Sequence, residues 1–316
     1  MIELDPLIGV RAVHFAATVI VAGTIFFRHV VAGPVLRSEK DRGAPALARL
    51  ASRLDAMAAV MLALAVASGA AWLFLESAAI SGLSLADVYS GNVAWTVLTA
   101  TRFGHVCALR GLTAVLLAFL LLSAIGRNLS SRSNLTAVAL AACFLAALAW
   151  IGHAGAGTGG SADLHLAADT LHLLAAGAWI GGLVPLALSL ASARHADSEA
   201  GERLALGVTA RFSTLGLISV GTLLATGTVN TWFLAGSVAS LTGTDYGRLL
   251  MIKVALFIIM FAIATINRVV LTARLPGAPA TRQLQINCGV EFTLGLAVVV
   301  VASVLGMLPP PLHMHH

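Results

Sequence analysis

The sequence predicts an all-α protein that crosses a membrane many times. Hydrophobic residues make up 59% of the 316 residues and charged residues only 10%, whereas a soluble protein carries roughly a quarter charged residues. The mean hydropathy is +0.93. Apolar runs of the length that a helix needs to cross a bilayer recur from one end of the chain to the other. These observations indicate a polytopic membrane protein.

Eight apolar segments are candidate transmembrane helices. Each is close to the roughly 20 residues that span the hydrocarbon core of a bilayer. The first follows an acidic start, Met-Ile-Glu-Leu-Asp, and is long enough to span, so we expect no cleavable signal peptide. The predicted spans are 7–27, 55–75, 104–125, 135–153, 167–190, 212–234, 249–271 and 285–308.

Lysine and arginine lie mainly on one side of this arrangement. Fourteen of the 19 Lys and Arg residues belong to the side of the first, third, fifth and seventh loops, counting Arg268 at the loop end of the seventh span; three others lie within spans, and Arg102 and Arg248 lie in the other loops. Cytoplasmic loops carry the excess of positive charge in membrane proteins. The odd loops are therefore predicted to be cytoplasmic, with both termini periplasmic in a bacterial inner membrane.

The chain also resembles itself at a spacing of 158 residues. The segment "VASGAAWLF" (66–74) lies against "LATGTVNTW" (224–232) at that spacing. Matches at one offset in two different spans indicate a duplication. The residue pairs at this spacing are His14 and His172, Gly23 and Gly181, Arg53 and Arg211, and Gly69 and Gly227.

A second match joins the third and seventh spans. The segment "TRFGHVCALR" (101–110) aligns with "TDYGRLLMIK" (244–253) at a spacing of 143 residues and pairs Arg110 with Lys253. Four helices return a chain to the side on which it started. The prediction is therefore two parallel four-helix repeats, residues 1–153 and residues 154–316.

The histidines are concentrated on the predicted outer side. Ionisable residues at membrane depth are costly and usually face the bundle interior or a water-filled path, and imidazole is the commonest metal-ligating side chain. His14 and His172 each lie roughly 10 Å inside their spans at 1.5 Å per residue. One histidine near a helix end is typical of an interfacial hydrogen bond, but two at equivalent positions favour a functional pair. The outer histidines are His14, His105, His153, His165, His172, His313, His315 and His316.

Further candidate ligands lie around this pair. His153 ends the fourth span, His105 begins the third, and His165 lies in a glycine-rich outer loop. Met307 falls opposite His153 when "LGMLP" is aligned with "IGHAG", and its thioether suits Cu(I). The closing "HMHH" either collects copper or is the remnant of a purification tag.

Two charged residues accompany the histidine pair. Arg11 and Asp169 are also 158 residues apart, and each precedes its histidine by three residues, which places it on the same helical face. They either pair with each other beside the imidazoles, or Asp169 orients a histidine as its hydrogen-bond acceptor. Of the other charges within spans, Arg110 and Lys253 are expected to satisfy interior carbonyls or to pair with Glu291.

Cysteine chemistry is not indicated by the sequence. Cys107, Cys143 and Cys288 all lie in apolar segments without CxxC spacing. They are predicted to be small buried apolar residues.

Several segments resemble the CopD-type copper resistance and copper homeostasis membrane proteins. They are "LHLLAAGAWIGGLVPL", "YGRLLMIKVALF", "INRVVL" and the closing "GMLPPP". The resemblance covers most of the chain and implies an inner-membrane protein that takes copper up towards the cytoplasm, often beside a periplasmic copper-binding protein of the CopC type. It also implies that His172, His14 and His153 fall on the histidines of that family.

Three functions compete at this point. Copper transport would use a periplasm-facing site of His14, His172 and His153, with Cu(I) or Cu(II) bound by neutral imidazole. A membrane cytochrome would use paired histidines to hold haem b, and a sensor or scaffold would bind copper without moving it. The chain has no GxxxxGK[ST] loop and none of the CPC or DKTG motifs of a phosphorylating metal pump. We therefore expect no enzymatic activity and no nucleic-acid partner.

Overall fold

The computed structural model describes residues 5–41, 48–124, 131–156, 159–196 and 198–311. Within these residues the chain is helical and contains no β-strand. The helices are α1 (Pro6–Phe26), α2 (Gly33–Asp41), α3 (Ala48–Ser81), α4 (Leu85–Ser90), α5 (Val93–Ala100), α6 (Arg102–Ala124), α7 (Ser131–Ala146), α8 (Gly160–Arg194), α9 (Ser198–Ala235), α10 (Val238–Gly243), α11 (Asp245–Ile266) and α12 (Ala278–Leu305).

Seven helical segments of the described chain are long and apolar enough to cross a membrane. They coincide with seven of the eight predicted spans. The fourth predicted span corresponds to α7 and the 3₁₀ turn that follows it, Ala147–Trp150, with an apolar part that covers Asn134–Trp150. It ends there because the chain folds back on itself: a Cβ on Gly155 would collide with the backbone of Trp150.

Helices α1 and α8 form the centre of the protein. They are the two most buried of the long apolar helices, and they cross where two glycines meet. A Cβ on Gly23 would collide with the backbone of Gly181, and one on Gly181 would collide with the backbone of Val19. The two backbones therefore approach closely at glycines that are 158 residues apart in sequence, as is usual for membrane helices that pack through small residues.

The other long helices surround this pair and expose large apolar side chains. This surface suits contact with lipid, because hydrocarbon tails are as apolar as the side chains themselves. Cys143 belongs to it, so the prediction that every cysteine is buried was wrong for this residue; Cys288 is buried and Cys107 is intermediate.

Similar turns precede α6 and α11. Thr101 accepts a hydrogen bond from the Gly104 backbone N–H at 3.0 Å, and Thr244 accepts one from Gly247 at 3.1 Å. Each glycine packs directly against the short helix before it, α5 or α10, where a Cβ would collide with that helix's backbone. These positions are the ones matched at the spacing of 143 residues.

Candidate functional site

His14 is buried in α1, and both of its ring nitrogens have partners. It is 3% exposed. Its Nε2 lies 2.7 Å from a guanidinium nitrogen of Arg110, and its Nδ1 lies 2.9 Å from the carbonyl oxygen of Ala65 and 3.2 Å from the hydroxyl of Ser68. A guanidinium only donates hydrogen bonds, so Nε2 accepts and Nδ1 carries the proton. The lone pair that would bind a metal is therefore occupied.

Arg110 is held in place by more than this histidine. It also donates to the carbonyl oxygen of Phe144 and, at 3.1 Å, to the hydroxyl of Thr18. Its guanidinium carbon lies 4.2 Å from the centre of the Phe144 ring. The expectation that this charge satisfies an interior carbonyl is confirmed.

His172, in α8, has a hydrogen-bond partner at Nδ1 but, unlike His14, none at Nε2 among the described residues. Its Nδ1 lies 3.0 Å from the hydroxyl oxygen of Thr226. That hydroxyl donates its own hydrogen to the carbonyl of Thr222 at 2.7 Å, so it accepts from His172 and Nδ1 carries the proton. Within the described residues no hydrogen bond reaches Nε2, whose lone pair remains available.

The surroundings of the two histidines correspond residue by residue. Each Nδ1 contacts a hydroxyl 54 residues further along the chain, Ser68 or Thr226. The glycine that follows each hydroxyl, Gly69 or Gly227, packs beside the ring carbon Cε1 of the histidine. The basic residues differ in how they contact the rings. Arg110 is hydrogen-bonded to His14, whereas Lys253 lies near His172 but shares no hydrogen bond with it in the described structure.

Asp169 lies one turn before His172 on α8 and faces another polar side chain. One carboxylate oxygen accepts a hydrogen bond from Asn230 at 3.1 Å. The other faces Gly152, where an added Cβ would lie 3.8 Å away. The amide oxygen of Asn230 is buried without a hydrogen-bond donor. The outer parts of α8 and α9 thus carry an imidazole nitrogen and a carboxylate on α8 and an unused amide oxygen on α9.

Arg11 and Asp169 have separate partners. Arg11 lies over the ring of Trp72, 5.2 Å from its centre, and donates to the sulfur of Met307 at 3.2 Å. Among the described residues no ion pair joins Arg11 to Asp169. Trp72 in turn donates to Glu76 at 3.1 Å, so the charge of Arg11 is accommodated by aromatic rings, a thioether and a nearby carboxylate.

The remaining candidate histidines are spread over the outer ends of the helices. His153 directly follows Gly152; its Nε2 lies 3.4 Å from the carbonyl oxygen of Leu305, and its ring packs edge-on to Tyr246. His165 stacks on Phe233 with ring centres 4.9 Å apart. His105 is exposed and bonded to the carbonyl of Thr99. His313, Met314, His315 and His316 lie outside the described residues.

The described residues contain no group of three or more His, Cys, Asp or Glu side chains arranged to hold one metal ion. Nor does a hydrogen bond or ring contact join His14 to His172 in this part of the chain. Each ring is held within its own half of the sequence. The hydroxyls of Ser68 and Thr226 were missed by sequence reasoning, although the spacing of 158 residues applied to polar residues of the second and sixth spans finds them.

Comparison with known proteins gives consistent matches. Residues 1–164 match the family model described as "Copper resistance protein D-like, N-terminal domain", and residues 206–305 match "Copper resistance protein D". The chain is 29% identical to Inner membrane protein YebZ of Escherichia coli (strain K12), over 96% of this chain and 98% of that protein. No solved structure matches the chain.

Two further relatives carry copper in their names. Copper resistance protein D of Pseudomonas syringae pv. tomato is 30% identical, over 81% of this chain and 80% of that protein. Copper transport protein CutJ of Bacillus subtilis (strain 168) is 32% identical, over 68% of this chain but 38% of that longer protein.

Proposed function

Because the chain belongs to the copper resistance protein D family, we propose that it carries copper ions across the inner membrane from the periplasm towards the cytoplasm. The chain is a multi-pass inner-membrane protein with a role in copper homeostasis. The direction of transport, the copper-binding residues and the absence of enzymatic activity are part of the proposal.

The proposed topology has eight spans in two parallel repeats, with both termini in the periplasm. The charge distribution supports this orientation. The matched histidine–hydroxyl contacts, both 54 residues apart in sequence, support the two repeats. Helix α7 and the 3₁₀ turn that follows it, Ala147–Trp150, serve as the fourth span.

The available Nε2 of His172 is the observation that carries the proposed site. A metal-binding imidazole usually donates its other ring N–H to an oxygen that fixes its orientation, and Thr226 accepts that bond here. Asp169 and the unused amide oxygen of Asn230 lie on the outer side of the ring. We propose that copper enters at His172, with His153 as the second imidazole after local rearrangement.

His14 has a different role in this scheme. It would bind copper only after Arg110 has left its Nε2, because the guanidinium occupies the position of a metal ion. The same contact blocks axial ligation of a haem iron by His14. His105, His165 and Met307 are outer contacts of the entry path, and a separate CopC-type periplasmic protein would deliver copper to it.

Copper flux into proteoliposomes tests the proposal. The purified wild-type protein should bind copper without a Soret absorption band and should transport it, whereas His172→Ala should lose copper binding at the outer site and lose flux. His195→Ala is the matched control, because this exposed histidine lies just after the opposite end of α8 and contacts the carbonyl oxygen of Ala191. A Soret band would establish haem instead, and copper binding without flux would indicate a sensor or scaffold. Unchanged binding and flux in His172→Ala would exclude the proposed site.

A further inference from the structure

The second half of the protein contains a cavity at the end opposite to the His172 site. Its volume is about 290 Å³, and helices α8, α9, α11 and α12 surround it together with the turn that follows α11. It lies on the side with the lysine- and arginine-rich loops, which is predicted to be cytoplasmic. The polar residues that line it include Thr209, Ser213, Asn267, Arg268, Cys288 and Glu291.

Glu291 lies near the middle of α12 and is 2% exposed. Its carboxylate accepts a hydrogen bond from the amide of Asn267 at 2.6 Å. Asn267 accepts one from Asn287 at 2.6 Å, and Asn287 accepts one from the exposed Gln283 at 2.9 Å. Each of these three side-chain amides donates its hydrogen bond in the direction of the carboxylate. Such aligned hydrogen bonds strengthen one another and stabilise a negative charge at their end.

A π-helical turn places Asn267 in this chain of amides. The turn runs over Asn267–Leu271 directly after α11, and π-helical turns are rare and frequently found at functional sites. A buried carboxylate within a membrane span marks a candidate ion pathway. The amide chain explains how Glu291 is tolerated, but it leaves one side of the carboxylate facing the cavity.

Thr209 provides an independent sign that the cavity has an occupant. It is 3% exposed, and its hydroxyl oxygen is buried without a hydrogen-bond partner. Most buried polar atoms are hydrogen-bonded. Cys288 also lines the cavity, is 1% exposed, and lies three residues before Glu291 on the same face of α12. A hydroxyl oxygen, a thiol and a carboxylate thus meet in one cavity.

We propose that this cavity is an inner binding site for Cu(I), at which the transported ion stops before it reaches the cytoplasm. Sulfur ligands select Cu(I). The ion replaces the proton of the Cys288 thiol, the Glu291 carboxylate accepts that proton, and the Thr209 hydroxyl supplies an oxygen contact. The site changes from anionic to neutral as Cu(I) binds, and copper changes neither oxidation state nor charge.

This inference rests on the proposed transport function, and α8 connects the two sites. Trp179 lines the inner cavity and lies seven residues after His172, on the same face of the helix and about 10 Å along its axis. Trp179 packs edge-on against Phe257 with ring centres 6.0 Å apart. Trp179 therefore lies along α8 between His172 and the other α8 residues that line the cavity, Leu183 and Leu186.

Protection of Cys288 from alkylation tests the inner site in the full-length chain. In a background with Cys107→Ser and Cys143→Ser, Cys288 is the one remaining thiol of the three in the sequence. Cu(I) at ten times its dissociation constant should slow alkylation by a small methylating thiol reagent about tenfold. Glu291→Gln and Thr209→Val should each abolish most of this protection. Thr214→Val is the matched control, because its hydroxyl is exposed and bonded to its own helix.

X-ray absorption of the copper-loaded protein gives a second measurement that does not need the thiol to be reactive. A copper–sulfur contribution that disappears in Cys288→Ser supports the site. Unchanged alkylation with Cu(I), together with no Cys288-dependent sulfur contribution, would overturn it. In detergent the inner cavity is open to added Cu(I), so His172→Ala should retain the protection. Failure of the outer site and failure of the inner site are therefore separate results.

Discussion

The hydroxyl of Thr226 should control copper affinity, and the equivalent hydroxyl of Ser68 should not. Thr226→Val keeps the shape of the side chain but removes the acceptor of the His172 Nδ1–H, which lies 3.0 Å away. No other acceptor contacts that nitrogen among the described residues. The imidazole then loses the bond that fixes its tautomer and orientation.

The expected loss of copper affinity can be estimated from the effect of such hydrogen-bond partners on metal-binding histidines in other proteins. Removing the hydrogen-bond partner of a metal-binding histidine typically costs 10–100-fold in metal affinity, which corresponds to about 1.4–2.7 kcal/mol. In the other half, Ser68→Ala removes a hydroxyl 3.2 Å from His14, but the carbonyl of Ala65 remains 2.9 Å from the same nitrogen. We expect Ser68→Ala to change copper affinity by less than about twofold, which is within the range of a surface substitution.

Competition with a chelator of known copper affinity measures both variants in detergent, and thermal unfolding shows that both remain folded. A loss of affinity in Ser68→Ala with none in Thr226→Val would place the copper site at His14 and refute the assignment to His172. Equal losses in both variants would show that the two halves bind copper together, as a paired site requires.

Three further predictions concern packing, the locked histidine and pH. Gly181→Leu should destabilise the protein by about 1–3 kcal/mol or prevent folding, because the added side chain overpacks the crossing of α1 and α8. Thermal unfolding measures this loss of stability. Gly111→Leu is the control, because a Cβ at Gly111 meets open space. Arg110→Leu should destabilise the fold by about 1–3 kcal/mol. In the folded fraction it should raise bound copper by one ion, because the Nε2 of His14 becomes available. Metal analysis that shows no additional copper would contradict a latent site at His14. Copper affinity should fall as the pH is lowered, because a protonated imidazole cannot bind metal, and a pH titration of His172→Ala should lose most of this dependence.

The positions of the helices could be predicted from apolar length alone, but their ends could not. Helix α3 begins at Ala48 and α8 at Gly160, whereas the apolar runs begin seven residues later. Helices continue beyond the hydrocarbon layer because backbone hydrogen bonding does not depend on apolar side chains. The end of the fourth helix at Trp150 could not be predicted either, since Gly155 packs there against the Trp150 backbone and hydropathy does not reveal that contact.

The corresponding contacts of His14 and His172 with hydroxyls could also be found from the sequence, because both hydroxyls lie 54 residues after their histidine. The hydrogen bond that occupies the Nε2 of His14 could not be predicted. The partner of His14 is 96 residues away in sequence, and its reach depends on how α6 packs against α1. The hydrogen bond between Asn267 and Glu291 could not be predicted for the same reason, because the two residues belong to different helices and meet only in the folded protein.

The difference between Arg110 and Lys253 explains how two similar halves can have different roles. A guanidinium presents five donors in a rigid fork, whereas an ammonium is a compact charge on a flexible stem. Arg110 uses its fork to bond His14, Thr18 and the Phe144 carbonyl at once, which fixes three helical segments and closes the imidazole to metal. Lys253 makes no such bonds in the described structure. The hydrogen bond from Arg110 therefore closes His14 to metal, while the Nε2 of His172 receives no hydrogen bond among the described residues.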